Sequence, residues 1–286
     1  MNREIAKGVF SEYSQNYDTD DINVSLKIAH TYRVAEFADR IGRSVGADAG
    51  FSWFLGLLHD IGRFEQIKRY GSFIDRESVD HAELGADILF NDRLIDLFPA
   101  DNIGINGWET VAETAIRLHN KLLVPDELDP ITLLYVQILR DADKVDIFRV
   151  LTEPPYGDGR NRRVTEISRS PEACGVRDEV MTCVREHRCV PKTFKMTDFE
   201  SLISSCCMGF ELTYPETRKI VREQGYLDLL MNVPVENEVM AEQMKILRNE
   251  MSAMDIHLDN LDEAIDDMEN GRVQLVDDAW DEIDQI

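Results

Sequence analysis

The stretch that decides the fold is Phe51-Ser52-Trp53-Phe54-Leu55-Gly56-Leu57-Leu58-His59-Asp60-Ile61-Gly62-Arg63-Phe64. An apolar run typical of a buried helix leads to His59 and Asp60, side by side, and then to Gly62. Neighbours on a helix point about 100° apart, so one metal ion can contact both side chains only where the helix ends or loosens. Glycine permits such a break. The stretch therefore predicts a helix that delivers a metal-binding His-Asp pair at its end.

Composition indicates a soluble globular protein, because 43% of its 286 residues are hydrophobic and 30% are charged. The chain is long enough for one large domain or two modest ones. It has no apolar run of about 18 residues, the length that predicts a membrane-spanning helix. Its first residues lack the apolar region of a secretory signal. We therefore expect a cytoplasmic protein that does not cross a membrane.

The cysteines support the same location. They are odd in number, lie in the second half and match no zinc-binding spacing, which favours reduced thiols; they are Cys174, Cys183, Cys189, Cys206 and Cys207. The net charge of −24 argues against nucleic acids and anionic membranes as partners. Much of this charge is local, since residues 255–286 hold twelve Asp or Glu against one Arg.

Helical periodicity is clear before and after the opening stretch. From Ile22 to about Ser44 the apolar positions place His30 on the inward face, where a core histidine bonded to a backbone carbonyl would also fit. Residues 62–79 read as a loop. Asp80-His81-Ala82-Glu83 then resembles a capping box that starts a helix running to about Phe90. A histidine in a first turn is usually exposed, so His81 alone is a weak ligand candidate.

Two later helices carry further candidates. In the predicted helix from about Trp108 to Asn120, His119 faces inward near the end. The predicted helix over about 130–151 offers two equally acceptable inward stripes, one through Asp141 and the other through Asp143. This helix ends at the run Glu153-Pro154-Pro155-Tyr156-Gly157-Asp158-Gly159-Arg160, which is typical of a loop or of a domain boundary.

The remainder also predicts helices, near 176–188, 197–208 and 214–224, and no useful strand alternation occurs. An apolar seam with four-three spacing follows, at Met240, Met244, Leu247, Met251, Met254, Leu258, Leu261, Ile265 and Met268. Such a seam predicts packing against a second copy, giving a homodimer, or back onto the chain's own domain. A short last helix is expected around residues 276–283. The fold class predicted is all-α.

Four of the six histidines fall within the first 120 residues, on separate predicted helices. Together with acids they form a nitrogen and oxygen ligand set that suits Mn, Fe, Co, Ni or Zn better than Ca. On a helical scaffold, such a centre can activate water and bind phosphoryl oxygens.

His30, then His59-Asp60, then Ala142-Asp143-Lys144-Val145 resembles the H…HD…D signature of the HD-domain superfamily of metal-dependent phosphohydrolases. The resemblance covers roughly residues 22–152 and implies a helical bundle with a metal held by His30, His59, Asp60 and Asp143. It selects Asp143 over Asp141, because the family's last ligand usually stands between Ala and a basic residue.

Two further segments are similar to those of two-metal HD proteins. They are His81-Ala82-Glu83-Leu84-Gly85 and Leu118-His119-Asn120. The resemblance implies that His81 and His119 hold a second ion, with Asp60 between the two. His119-Asn120 stands where cyclic-di-GMP phosphodiesterases of the HD-GYP type have paired histidines, and their Gly-Tyr-Pro signature is missing. The second half does not match the large alarmone enzymes.

The resemblance implies hydrolysis of a small phosphate ester or nucleotide by metal-activated water, with one or two ions per chain. Asp60 would be catalytic. Arg63 and Lys144, each close in sequence to a ligand, are the candidate contacts to substrate phosphate, and ordinary surface ion pairs are the alternative for both. A regulatory module that binds a nucleotide without turnover and an HD-type di-iron oxygenase are the alternatives. We expect an HD-type domain over about 1–155 and a helical region with the acidic heptad helix over 156–286.

Overall fold

The computed structural model describes residues 2–100, 103–153, 175–191 and 196–269, and within these ranges every regular element is helical. The predicted all-α class is confirmed. The α-helices are α1 (Arg3–Ser14), α2 (Ile22–Ser44), α3 (Ala49–Leu58), α4 (Ile61–Tyr70), α5 (His81–Ala86), α6 (Trp108–Leu118), α7 (Pro130–Val150), α8 (Asp178–Arg185), α9 (Asp198–Cys207), α10 (Pro215–Gln224), α11 (Tyr226–Met231) and α12 (Glu238–Glu269).

Aspartates begin several of these helices by accepting the free backbone N–H groups of the first turn. Such caps are Asp21 for α2, Asp48 for α3, Asp80 for α5 and Asp129 for α7. Half of the predicted capping box is observed: Asp80 caps α5, whereas the Glu83 side chain pairs with Arg117 and Lys121.

The prediction of a loop over 62–79 was wrong in its first half, because α4 occupies Ile61–Tyr70. This helix has ten residues and few apolar positions, so its periodicity was too short to recognise. Gly71 ends it with a left-handed φ of 62°. The helix predicted to reach Phe90 changes after Ala86 into a π-helical turn over Asp87–Asn91. Helix α11 was not predicted.

Helix α3 lies at the centre of the bundle formed by α1 to α7, and every residue from Phe51 to Leu58 is buried. It packs against α1, α2, α6 and α7. The α2 and α3 backbones approach closely at Gly56, where a Cβ atom would lie 2.6 Å from the Ala35 Cα atom. This packing brings the ends of α3 and α6 next to interior positions of α2 and α7.

The C-terminal helices, α8 to α12, form a second region. This region contacts α7 by means of α10, α11 and the 3₁₀ turn Met208–Glu211. The first half of the predicted seam is buried within the same chain: Met240, Met244, Leu247 and Met251. Met254 and Leu258 are partly buried, whereas the side chains of Leu261, Ile265 and Met268 and the short helix expected around 276–283 lie outside the described residues. Packing onto the chain's own domain thus accounts for that first half, and a homodimer stays a prediction.

Within the described ranges, no helix combines the length and apolar character needed to cross a membrane. Cys183, Cys189, Cys206 and Cys207 are free thiols, and Cys174 lies outside the described residues. The boundary expected between 155 and 156 also falls outside them.

Candidate metal centre

The His59-Asp60 pair lies at a break between two helices. His59 is the C-terminal cap of α3, and Asp60, with φ −105° and ψ 14°, precedes α4. The predicted break is therefore present. Gly62 has a second role, because a Cβ atom there would lie 2.1 Å from the carbonyl oxygen of His81. Only glycine allows α4 to start directly against the start of α5, and this contact brings His81 to Asp60.

Four of the predicted ligands surround one point. The Nε2 atoms of His30 and His59 lie 3.3 Å apart, and Asp60 Oδ2 lies 3.5 Å from the first and 3.3 Å from the second. Asp143 Oδ1 lies 3.2 Å from His30 Nε2 and 3.7 Å from His59 Nε2. We call these four residues the first group.

The other oxygen of Asp60 faces the remaining two histidines. Asp60 Oδ1 lies 3.4 Å from His81 Nε2 and 3.9 Å from His119 Nε2, and the two Nε2 atoms are 3.1 Å apart. His81 is only 3% exposed, so the surface position that its first-turn location suggested is wrong. Asp60, His81 and His119 form the second group, and Asp60 belongs to both groups.

Each of the four imidazoles has its Nδ1 atom next to an oxygen. The partners are Asp146 Oδ2 for His30 at 2.6 Å, Gly56 O for His59 at 2.8 Å, Asp75 Oδ2 for His81 at 2.8 Å and Ile116 O for His119 at 2.7 Å. An acceptor at Nδ1 keeps the proton there and leaves the Nε2 lone pair of a neutral ring exposed toward the cluster.

Two nitrogen lone pairs that face each other at about 3 Å are stabilised by a cation between them. Two acceptor nitrogens about 3 Å apart cannot hydrogen-bond to each other, yet His30 faces His59 and His81 faces His119 in this way. Ligand atoms about 2.1 Å from one ion, at tetrahedral or octahedral angles, are separated by roughly 3.0–3.4 Å. The spacings in both groups are close to this range, so the donors fit a divalent ion in each.

The carboxylates of the cluster are held in their charged form. Burial acts against the charge of Asp60, but Lys27 and then His59 bring its pKa well below the usual value. Burial likewise opposes ionisation of Asp143, and the His30 hydrogen bond and the charge on His59 lower its pKa. Anionic oxygens at neutral pH are what a divalent cation requires.

His30, His81 and His119 differ in how burial and neighbouring groups shift their pKa. Burial, followed by the proximity of the His81 and His59 imidazoles, lowers the pKa of His119 to about 3. Burial and then Arg63 also lower the pKa of His81. Burial and Lys27 act in the same direction on His30, but its hydrogen bonds to Asp143 and Asp146 prevail and raise its pKa. The two histidines of the second group are thus neutral and ready to coordinate, whereas a metal at His30 competes with a proton.

The two acids that periodicity could not separate have different partners. Asp143 lies in the first group. Asp141 is buried on another side of α7 and accepts hydrogen bonds from the backbone N–H groups of Thr213 and Tyr214 and from the Thr217 hydroxyl. Asp141 therefore attaches the start of α10 to α7 and does not reach the cluster.

The structure separates the two predicted phosphate contacts. Lys144 is paired with Glu211, because its ammonium lies 3.2 Å from both the carbonyl and the carboxylate of that residue; its role as a phosphate contact stays a prediction. Arg63 lies beside the cluster, with Nε 3.6 Å from Asp60 Oδ1. Its Nη1 atom, however, donates to Phe73 O and Asp75 Oδ1.

Three residues of the site were not identified from the sequence: Lys27, Asp75 and Asp146. Asp146 follows Asp143 by three residues on the same stripe of α7, and Lys27 precedes His30 by three on α2, so helical spacing could have indicated both. Asp75 lies in the 3₁₀ turn Asp75–Glu77, and no pattern in the sequence indicates that it reaches His81.

Comparison with known families gives one match. Residues 28–147 match the family model described as the HD domain, and this segment contains all six predicted ligands. Comparisons with curated proteins and with solved structures gave no significant match. The matched segment and the His/Asp cluster agree in position. The chain is therefore similar, over residues 28–147, to the HD domain, and the candidate ligands lie within that segment.

Proposed function

We propose that this protein is a metal-dependent phosphohydrolase that acts on a small phosphate ester or a nucleotide. The observation that carries the proposal is the placement of one carboxylate, Asp60, between two pairs of facing imidazole nitrogens. A carboxylate with an oxygen for each group is suited to bridge two cations. Centres of two divalent ions about 3.5–4 Å apart are typical of enzymes that hydrolyse phosphate esters.

A bound divalent ion would supply an acidified water molecule and neutralise the charge of the phosphoryl oxygens. The protein's part is to hold the ligands in place. Asp146 and Asp75 orient His30 and His81, while backbone carbonyls orient His59 and His119. Partners of this kind fix the ring orientation and raise the basicity of the coordinating nitrogen.

The experiment that tests this function combines metal analysis with a substrate screen. The purified protein is stripped of metal, loaded with Mn²⁺, and assayed with p-nitrophenyl phosphate, bis(p-nitrophenyl) phosphate and nucleotides. Asp60→Asn removes one charge from both groups and should abolish hydrolysis while helical circular dichroism is retained. Asp126→Asn, at an exposed carboxylate outside the cluster, is the matched control and should keep full activity.

The other two function classes are outcomes of the same experiment. Tight nucleotide binding without product release would replace the hydrolase with a regulatory module. Bound iron together with oxygen consumption would replace it with an oxygenase. Full activity and metal content in Asp60→Asn would show that the site is assigned wrongly.

A further inference from the structure

Lys27 lies where the cluster meets solvent. It stands on α2, one turn before His30, and its Nζ atom is 2.6 Å from Asp60 Oδ2. Its side chain is 17% exposed, whereas that of Asp60 is 2% exposed. A single ammonium group thus contacts a ligand carboxylate, and its side chain is partly exposed to solvent.

The Lys27 ammonium has more N–H donors than its described neighbours accept. A lysine carries three N–H donors, and within the described residues its only hydrogen-bond acceptor is Asp60. Its other described neighbour is the Phe73 ring, whose centroid lies 5.9 Å from Nζ. Two donors are therefore available for the oxygens of a molecule that enters the cluster.

The two cations that the sequence suggested as phosphate contacts both have partners within the protein. Arg63 holds the segment after α4 through Phe73 O and Asp75. Lys144 is held by Glu211. Arg63 Nε also lies beside Asp60, 3.6 Å from Oδ1, and has no hydrogen-bond partner among the described residues. Lys27 differs from it in contacting Oδ2, the oxygen of Asp60 that faces the first group.

Lys27 also shares an oxygen with the first group. Asp60 Oδ2 is the atom that faces both His30 and His59, so an ion held there would lie within a few ångströms of the ammonium. Like charges a few ångströms apart repel each other, and more strongly in a partly buried site than in water. A lysine in this position would therefore weaken metal binding in the first group, so metal binding does not account for its presence there.

We propose that Lys27 is a substrate-binding residue that donates directly to a phosphoryl oxygen, at the cost of weaker metal binding in the first group. The proposal rests on the phosphohydrolase function above and replaces Lys144 with Lys27 as the lysine that contacts phosphate. Phosphate bound to the metal centre would receive hydrogen bonds from a charged donor, an interaction stronger than one between neutral groups.

The test compares Lys27→Met and Lys27→Arg with the wild type. Lys245→Met is the matched control, because Lys245 also pairs with a carboxylate, Glu242, but is exposed on α12. Two affinities are measured by calorimetry for each protein. One is that of the metal-stripped protein for Mn²⁺, and the other is that of the Mn²⁺-loaded protein for inorganic phosphate. The kcat/KM for p-nitrophenyl phosphate is measured in addition.

We expect Lys27→Met to bind phosphate at least about tenfold more weakly, the usual scale for losing a charged hydrogen bond, and to bind Mn²⁺ at least as tightly as the wild type. Lys27→Arg should retain most phosphate affinity, and Lys245→Met should match the wild type in both. Phosphate affinity within about twofold of the wild type, or weaker Mn²⁺ binding, in Lys27→Met would overturn the proposal. If no ester is hydrolysed by any protein, the proposed function fails, and the two affinities still decide the role of Lys27.

Discussion

Asp141 and Asp143 lie two residues apart on α7 and contact different parts of the protein. Asp143 Oδ1 lies 3.2 Å from His30 Nε2 in the first group. Asp141 Oδ2 accepts the Thr217 hydroxyl at 2.8 Å and the backbone N–H groups at the start of α10. One helix thus joins the candidate metal centre to the second helical region.

This relationship predicts that the two acids can be separated by mutation. Asp141→Ala leaves buried donors at the start of α10 without an acceptor, which should lower the free energy of unfolding by about 1–3 kcal/mol and leave metal content unchanged. Asp143→Ala should instead lose metal from the first group. Urea unfolding and metal analysis of both variants check this; loss of metal from Asp141→Ala would contradict the assignment.

We predict two metal ions per chain. His81 and His119 have no role in a one-ion centre at the first group, yet both are buried with Nε2 directed at Asp60 Oδ1. Metal analysis should give about two ions per wild-type chain and one in a His81→Ala/His119→Ala double variant. One ion in both proteins, with equal activity, would show that only the first group binds metal.

The metal-stripped protein should lose stability as the pH falls because of His119. Its folded pKa is lowered to about 3, whereas an unfolded histidine titrates near 6.5. Between these values the unfolded state binds more protons than the folded state, so stability rises with pH. From pH 7 to pH 5 the His119 contribution should fall by at most about 2 kcal/mol.

Urea unfolding of metal-stripped wild type and His119→Gln at pH 7 and pH 5 measures this contribution. The difference in unfolding free energy between the two pH values should be smaller in the variant, since the other groups titrate in both proteins. An equal or larger difference in His119→Gln would rule out this source of acid sensitivity.

Gly62→Ala should disturb the geometry of the second group, although it replaces none of the ligand residues. The added Cβ atom would lie 2.1 Å from the His81 carbonyl oxygen and 2.6 Å from the Gly85 nitrogen, both backbone atoms that cannot turn away. Overpacking of this kind costs about 1–3 kcal/mol or more, and separating α4 from α5 moves His81 from Asp60.

Thermal unfolding and metal analysis test the Gly62 variant. We expect a lower Tm and loss of one ion in Gly62→Ala. Gly8→Ala is the control, because a Cβ atom at Gly8 in α1 meets nothing within 4 Å and alanine favours a helix by about 0.5–1 kcal/mol. A Gly62→Ala protein with wild-type Tm and metal content would contradict the close contact.

The sequence by itself determined the helical class, most helix positions and the break at His59-Asp60. These follow from local causes: apolar spacing along one chain segment, aspartate caps and a glycine. Periodicity also placed His30 and His119 inward, and the family resemblance placed His81 in the site and chose Asp143.

Tertiary structure alone decided what the chain pattern does not encode. Helix α7 is buried on more than one side, so its apolar stripes could not distinguish Asp141 from Asp143. His81 is buried because α4 and α5 meet at Gly62 and Gly85, a contact between segments that each look like surface. The contacts of Lys27 with Asp60 and of Lys144 with Glu211 join residues 33 and 67 positions apart. Such distances carry no periodic signal, because only the packing of the helices brings these side chains together.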